Sequence, residues 1–435
     1  MTLARRLRFR ASLMKVGVDG ALGVARDKVT SYGYSLTGRK TAPATDFDPF
    51  SAEVMRDPYP GYQSLLNGDD VPGVWYNRKR GIWIIAGYDD VRKALRDNEQ
   101  LSSAQSQSRF RVYLPSMNAA DPPAHTRLRK FVSRAFTARA MTAWQTNINE
   151  VADELVDTVI AQRYTEAVNS LAKPLPTRLI ARMLGIPQHD QPQFVAWSDD
   201  MVAGAFAPLT PRGMRLSARS GNATAAMRRS LDPLIAQRRR APGDDLISMM
   251  TPADADDVLT DDEIFWSAAM LIGAGSETTT NMLSGLLLTL AQQPELYERL
   301  RAHPELIPAA VEEQLRMGSP VQGFYRTATC DYTVGADTIP AGARVLLLFA
   351  AANRDPRHYP DPDTFDLDRN PTDHLAFGGG VHYCLGVPLT RLEGARVFSQ
   401  LLPRVSEIRL AGEYRYLENP TMRGLEHLPL ELVPA

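Results

Sequence analysis

Cysteine is nearly absent: the 435-residue chain has two, Cys330 and Cys384. That is too few, too far apart, for a disulfide framework or a paired-cysteine metal site, and it fits a reducing cytoplasm, so each thiol needs its own explanation. Long apolar runs are also missing. The longest, around 282–291 and 345–352, are about half of the roughly 20 residues a spanning helix needs, and no membrane span is expected. A net charge of −1 supplies no global field for nucleic acid. No Gly/Ser- or Pro-rich linker follows residue 45, so a single domain over 46–435 is expected, although length alone allows two or three.

Residues 1–45 are unlike the rest. Arg5, Arg6, Arg8, Arg10, Lys15, Arg26, Lys28, Arg39 and Lys40 face only Asp19 and Asp27, and Leu3, Leu7, Met14 and Val18 share one helical stripe. This basic extension fits either a tail or helix lying on the body, or an arm for a membrane surface or partner. It lacks the continuous apolar core of a secretory signal.

Helical spacing dominates the body, over Asp89–Leu95, Thr137–Ile160, Pro174–Leu184, Ala223–Arg240, Thr260–Gln292, Pro304–Met317 and Leu389–Leu402. Strand-like pieces are short: Gly81–Ile85, Tyr332–Val334, Arg344–Phe349 and Leu428–Val433. The reading is a mainly α fold with small β-sheets. In the longest helix, Thr260 followed three residues later by Glu263 forms a capping box, and the pattern continues to Pro294. At 1.5 Å per residue this helix is about 48 Å long, and apolar residues surround it, so it is buried. Yet its middle reads AGSETTTN, Ala274 to Asn281, with a glycine, a carboxylate and several hydroxyls.

A second unusual stretch is HLAFGGGVHYCLGVPLTRLEGAR, His374 to Arg396. Its glycines permit a backbone path close to a flat ligand. Cys384 stands at the start of a helix, where the N–H groups of Leu385, Gly386 and Val387 favour a thiolate, a soft metal ligand. A lone cysteine in a glycine loop is equally consistent with a small buried residue.

Phe377-x-x-Gly380-x-His382-x-Cys384-x-Gly386 resembles the heme-binding signature of the cytochrome P450 family. Ala274-Gly275-Ser276-Glu277-Thr278 is similar to that family's distal-helix motif, and Glu313-Gln314-Leu315-Arg316 to its Glu-x-x-Arg motif. The segment Asp121 to Phe136 looks like its heme-contacting helix. One departure is Pro362-Asp363-Thr364-Phe365, with Thr364 where the family has an arginine that joins the Glu313–Arg316 pair, so a closed three-residue network is not expected.

The resemblance implies a heme b cofactor lying between the long distal helix and the proximal loop, with Cys384 as the iron ligand. His125, Arg129, Arg326 and His382 would meet its propionates, and Ala274, Gly275, Phe377, Gly378, Leu385 and Gly386 would border it. Gly275 would make room, Thr278 would hold dioxygen and Glu277 would relay protons through a locally loosened turn. A gas sensor without turnover would not require the Glu277–Thr278 pair, and a peroxide-driven peroxygenase typically lacks it. The implied activity is a monooxygenase inserting one atom of O2 into an apolar small molecule such as a terpenoid, steroid, fatty acid or aromatic acid. Met117, Phe206, Met270, Val321, Phe324 and Met422 are the implied pocket.

No flavin-binding Rossmann fingerprint or iron–sulfur cysteine set is present, so electrons would come from a separate ferredoxin or flavodoxin with its NAD(P)H reductase. Arg127, Lys130 and Arg134 fit either a docking patch for that acidic partner or a solvated basic face. A cytoplasmic monomer is expected. Cys330 is expected to be structural, in a strand, and Arg109 and Arg111 to be exposed.

Overall fold

In the computed structural model, residues 42–68, 71–205, 211–251 and 258–435 are described. Residues 1–41 of the basic extension lie outside them. The chain is already attached to the body before residue 46, because Tyr76 N–H donates to the Pro43 carbonyl at 2.9 Å and Thr45 N–H to the Tyr76 carbonyl at 3.0 Å.

The main helices are α1 (Tyr88–Arg96), α2 (Ala124–Ser133), α3 (Ala138–Gln162), α4 (Pro174–Met183), α5 (Gln191–Ala205), α6 (Pro211–Arg240), α7 (Asp261–Gln292), α8 (Ile307–Gly318) and α9 (Val387–Leu401). The strands that matter are β1 (Trp75–Asn77), β2 (Ile82–Ile85), β3 (Leu101–Ser102), β4 (Tyr164–Glu166), β5 (Phe324–Ala328), β6 (Arg344–Leu347), β7 (Val405–Leu410) and β8 (Pro429–Pro434). They form one sheet of order β1-β2-β6-β5-β3 and another of order β4-β8-β7. Two hydrophobic clusters line the large sheet, and a third, wrapped around α7, is the helical core.

α7 begins as its sequence requires: Thr260 Oγ1 accepts the Glu263 N–H and the Glu263 carboxylate accepts the Thr260 N–H, a cap worth about 1 kcal/mol. Elsewhere boundaries move. α6 starts at Pro211 rather than Ala223, because its polar first turns pack on α5, where Gly204 meets Ser220. The strand expected through Phe349 ends at Leu347, and Phe349 opens a helical turn. Cys330 is not in a strand; it lies in an exposed bend after β5.

The expected gap in the Glu313 network is filled. Both Glu313 and Arg316 are fully buried, with Arg316 Nε and Nη2 donating to the carboxylate at 2.8 Å. Arg369 Nε completes the network at 3.2 Å from Glu313 Oε1. Thr364 takes part only through its carbonyl, which accepts from Arg316 at 3.4 Å. Its side chain is therefore irrelevant to closure. Removing one partner from such a buried set costs about 3–5 kcal/mol.

Candidate functional site

The cysteine loop is shaped by its glycines. Gly378 and Gly380 have φ of +69° and +63°, and a Cβ on Gly380 would lie 2.5 Å from the Leu95 carbonyl, so only glycine lets the loop press on α1. The Phe377 carbonyl then accepts the Cys384 N–H at 3.0 Å. Gly386 caps α9, with Pro388 in its first turn. The N–H groups of Gly386 and Val387, with the Arg129 charge, favour a thiolate. Crowding by surrounding protein still outweighs them, and the thiol lies above its ordinary value although part of the residue is open to solvent. A bound metal cation would favour the thiolate further, since a coordinating thiol is deprotonated outright.

Beside the loop stands a cluster of cationic and N–H groups. His125 is buried, and among the described residues neither of its ring nitrogens has a hydrogen-bond partner, nor has His382 Nε2. The two rings meet edge to face, 4.4 Å between centroids. Arg326 is buried, and desolvation brings its guanidinium down to about 10; its Nη1 donates to the Tyr325 carbonyl at 3.0 Å. Arg129 Nη2 donates to the carbonyl of Tyr383, next to Cys384, at 2.5 Å. Burial first, then the charges of Arg326, His125 and Arg129, push His382 down to about 3. Packing these groups together is unfavourable without anions, and two buried carboxylates would satisfy them.

α7 runs through AGSETTTN without a break. The hydroxyls of Ser276, Thr278 and Thr280 bond back to the carbonyls of Ile272, Ala274 and Ser276 at 2.7, 2.9 and 2.9 Å, the back-bonding by which a helix can be loosened locally. Among protein atoms, a Cβ at Gly275 would meet Ile180 on α4 at 3.4 Å, an ordinary van der Waals contact. Burial raises the Glu277 carboxyl; Asp199 adds to this and Lys173 opposes it. Lys173 Nζ lies 2.8 Å from Asp199, and both side chains keep access to solvent.

Thr279 settles how the two motifs relate. Its hydroxyl lies 3.2 Å from that of Thr390 on α9, which places the Thr278 turn beside the helix that starts after Cys384. Glu393, one turn further along α9, is fully buried, and among the described residues its carboxylate has no close hydrogen-bond partner, Thr279 interacting with it only loosely. Its pKa is pushed up to about 8 by burial, offset in part by Thr279. Spacing could not have revealed this link, because residues over a hundred positions apart meet only in the fold.

The remaining expectations divide. Val321 and Met422 pair in an isolated bridge and share a cluster with Phe324, whereas Met117 and Met270 belong to the helical core. Phe206 lies outside the described residues. Ala274 is open to solvent, and Leu385 and Gly386 flank Cys384. Arg109 and Arg111 are buried rather than exposed, donating to the carbonyls of Arg80 and Gly342 at 3.1 and 2.6 Å, so they brace their loop. Arg127 is drawn onto Glu263 at 2.6 Å, which leaves Lys130 and Arg134 as the exposed charges of the expected patch. No described helix is long and apolar enough to cross a membrane.

Residues 69–406 match the family model described as Cytochrome P450. The chain is 38% identical over 402 residues, 92% of its length and 81% of the other protein, to the beta-dihydromenaquinone-9 omega-hydroxylase of Mycobacterium tuberculosis. It is 35% identical over 401 residues to the cytochrome P450 monooxygenase PikC of Streptomyces venezuelae, covering 89% of this chain and 94% of that one. Its structure resembles CYP109E1 of Bacillus megaterium in complex with testosterone, with a TM-score of 0.79 and 31% identity over 88% of this chain and 99% of that one. Sequence, fold and the meeting of the two motifs agree: the chain belongs to the cytochrome P450 family of heme monooxygenases.

Proposed function

We propose that Cys384 is the axial ligand of a heme b, and that His125, Arg129, Arg326 and His382 bind its propionates. The observation that carries this is the cluster of buried N–H and guanidinium groups beside Cys384, several without partners, which needs two carboxylates. Thiolate-bound heme supplies the reductive activation of O2 and favours O–O cleavage.

The chain's own part is to position and to deliver protons. Thr278 presents a hydroxyl on the turn nearest α9, while Ala274 borders the heme face. Glu277, whose carboxyl burial raises above its ordinary value, draws protons from solvent through the Lys173–Asp199 pair. Val321, Phe324 and Met422 offer an apolar surface to a terpenoid- or steroid-like substrate. The menaquinone hydroxylase and the testosterone complex among its relatives support that class. Electrons arrive from a ferredoxin or flavodoxin served by an NAD(P)H reductase, docking near Lys130 and Arg134, and the enzyme works as a cytoplasmic monomer.

The test is a carbon monoxide difference spectrum of the reduced protein, followed by a screen for substrate-induced spin-state change. Folded, heme-loaded protein without the thiolate-type band would overturn the reading. Thr278→Ala should keep heme and substrate binding while product per electron falls about tenfold or more and peroxide rises correspondingly. Unchanged coupling, from NAD(P)H, product and peroxide measured together, removes Thr278 from the mechanism. Lys130→Glu with Arg134→Glu should slow reduction by the partner on the order of tenfold at low salt, with heme content unaltered. An unaltered reduction rate in stopped flow places docking elsewhere.

A further inference from the structure

Glu312 and Glu313 are neighbours on α8, and successive helical residues point about 100° apart. Glu313 holds the segment carrying Thr364 and Arg369, as described above. Glu312 faces a different part of the protein. Its carboxylate receives a two-pronged contact from Arg391 of α9, Nε to Oε1 at 2.7 Å and Nη2 to Oε2 at 2.8 Å. His374 Nε2 lies 3.3 Å from Oε2, within ion-pair distance but outside hydrogen-bond geometry.

The histidine's tautomer follows from its other nitrogen. Nδ1 accepts the Ala376 N–H at 3.2 Å, so the ring proton is on Nε2, facing Glu312. The His374 and Glu312 side chains are 1% and 8% exposed, so neither has water to fall back on. Both partners of Glu312 then converge on one ring. The His374 and Phe377 centroids are 5.3 Å apart, and the Arg391 guanidinium sits 5.7 Å from the Phe377 centroid. Phe377 is the residue whose carbonyl holds the Cys384 N–H.

We propose that Glu312 is a positioning residue for Cys384, acting through His374 and Arg391 on Phe377. This rests on the reading of Cys384 as the heme ligand. Glu312 fixes the Arg391 fork and the His374 proton, these hold the Phe377 ring from two sides, and the ring's backbone keeps Cys384 in register at the start of α9. The carboxylate also balances the Arg391 charge. A glutamine in its place keeps the shape but cannot accept both arms of the fork, and it removes the negative charge that faces the imidazole.

The experiment compares the reduced carbon monoxide spectra of heme-loaded parent, Glu312→Gln, Arg391→Gln and the double variant, with heme content and melting temperature measured alongside. Each single substitution is expected to raise the ratio of thiol-type to thiolate-type band on the order of tenfold, the population change that loss of one charge-assisted hydrogen bond produces. The double variant should be little worse than either single one, because both break the same unit. Lower melting temperatures with an unchanged band ratio would reduce Glu312 to a structural clamp and overturn the proposal. If Glu312→Gln does not fold, Arg391→Gln, altered at a side chain 44% exposed, still decides it. A parent protein lacking the thiolate band would instead refute the ligand assignment itself, so the two failures are distinguishable.

Discussion

Cys384→Ala is expected to fold, to keep a weakened hold on heme, and to lose monooxygenase activity about a thousandfold or more, equivalent to about 4 kcal/mol of barrier lowering. Folding survives because what shapes the loop is backbone: the fit of Gly380 against Leu95 and the bond from the residue 384 N–H to the Phe377 carbonyl do not need sulfur. Heme retention would follow from the proposed propionate contacts of His125, Arg129 and Arg326, which lie on elements other than the cysteine loop. Activity fails because no other thiolate can replace the electron donation that favours O–O cleavage. Cys330, exposed in its bend with Sγ 3.5 Å from Gln100 Oε1, provides the control. Cys330→Ser should match the parent in spectrum and turnover. A thiolate-type carbon monoxide band in Cys384→Ala would refute the ligand assignment.

Glu393 predicts a pH-dependent stability of opposite sign to that of an ordinary paired carboxylate. Burial pushes its pKa from the usual 4.5 to about 8 in the folded chain. Between those values the unfolded chain gives up the proton and the folded chain keeps it. Stability should therefore decline as pH rises through this window and level off above 8, by up to about 5 kcal/mol. Glu312 is the contrast, brought down to about 2 by His374 and Arg391 against the effect of burial. Its contribution is fully present above 4.5 and is lost as pH falls toward 2. Glu393→Gln cannot ionise, so from pH 7 to pH 9, above the range in which the lowered His125 and His382 make stability rise with pH, its stability should be nearly flat where that of the parent falls. An amide without partners shifts its whole curve, so the slope is the readout. Urea unfolding of both proteins across that range measures it, and parallel profiles would show that Glu393 ionises normally or is reached by water.

Much of the frame is local and hence readable. The capping box of Thr260 and Glu263, the all-round apolar pattern of α7 and the glycines before Cys384 are interactions between near neighbours in sequence, and the structure realises them. Helix α5 and strands β5 and β7 escaped notice because their patterns are short or mixed, and packing rather than periodicity stabilises them. Gly275 and the hydroxyls of α7 were visible as anomalies, but their tasks were not. Whether a side chain at 275 would meet a cofactor or Ile180 depends on which helix lies opposite.

The order of motifs along the chain determined by itself the family and the class of chemistry and singled out Cys384 as the proposed ligand, because each motif is a short run whose spacing is set by helix or loop geometry. Tertiary structure alone decided the electrostatics. Arg369 completes the Glu313 network that Thr364 left open, Arg127 is withdrawn onto Glu263, and Thr390 meets Thr279 from another helix. Desolvation raises the Cys384 thiol and the Glu393 carboxyl, whereas His374 and Arg391 bring Glu312 below the ordinary carboxylate range against the effect of burial. The reason is physical. A charge's energy depends on the distance to its partner and on how much water remains around it, and neither quantity exists until distant segments have packed.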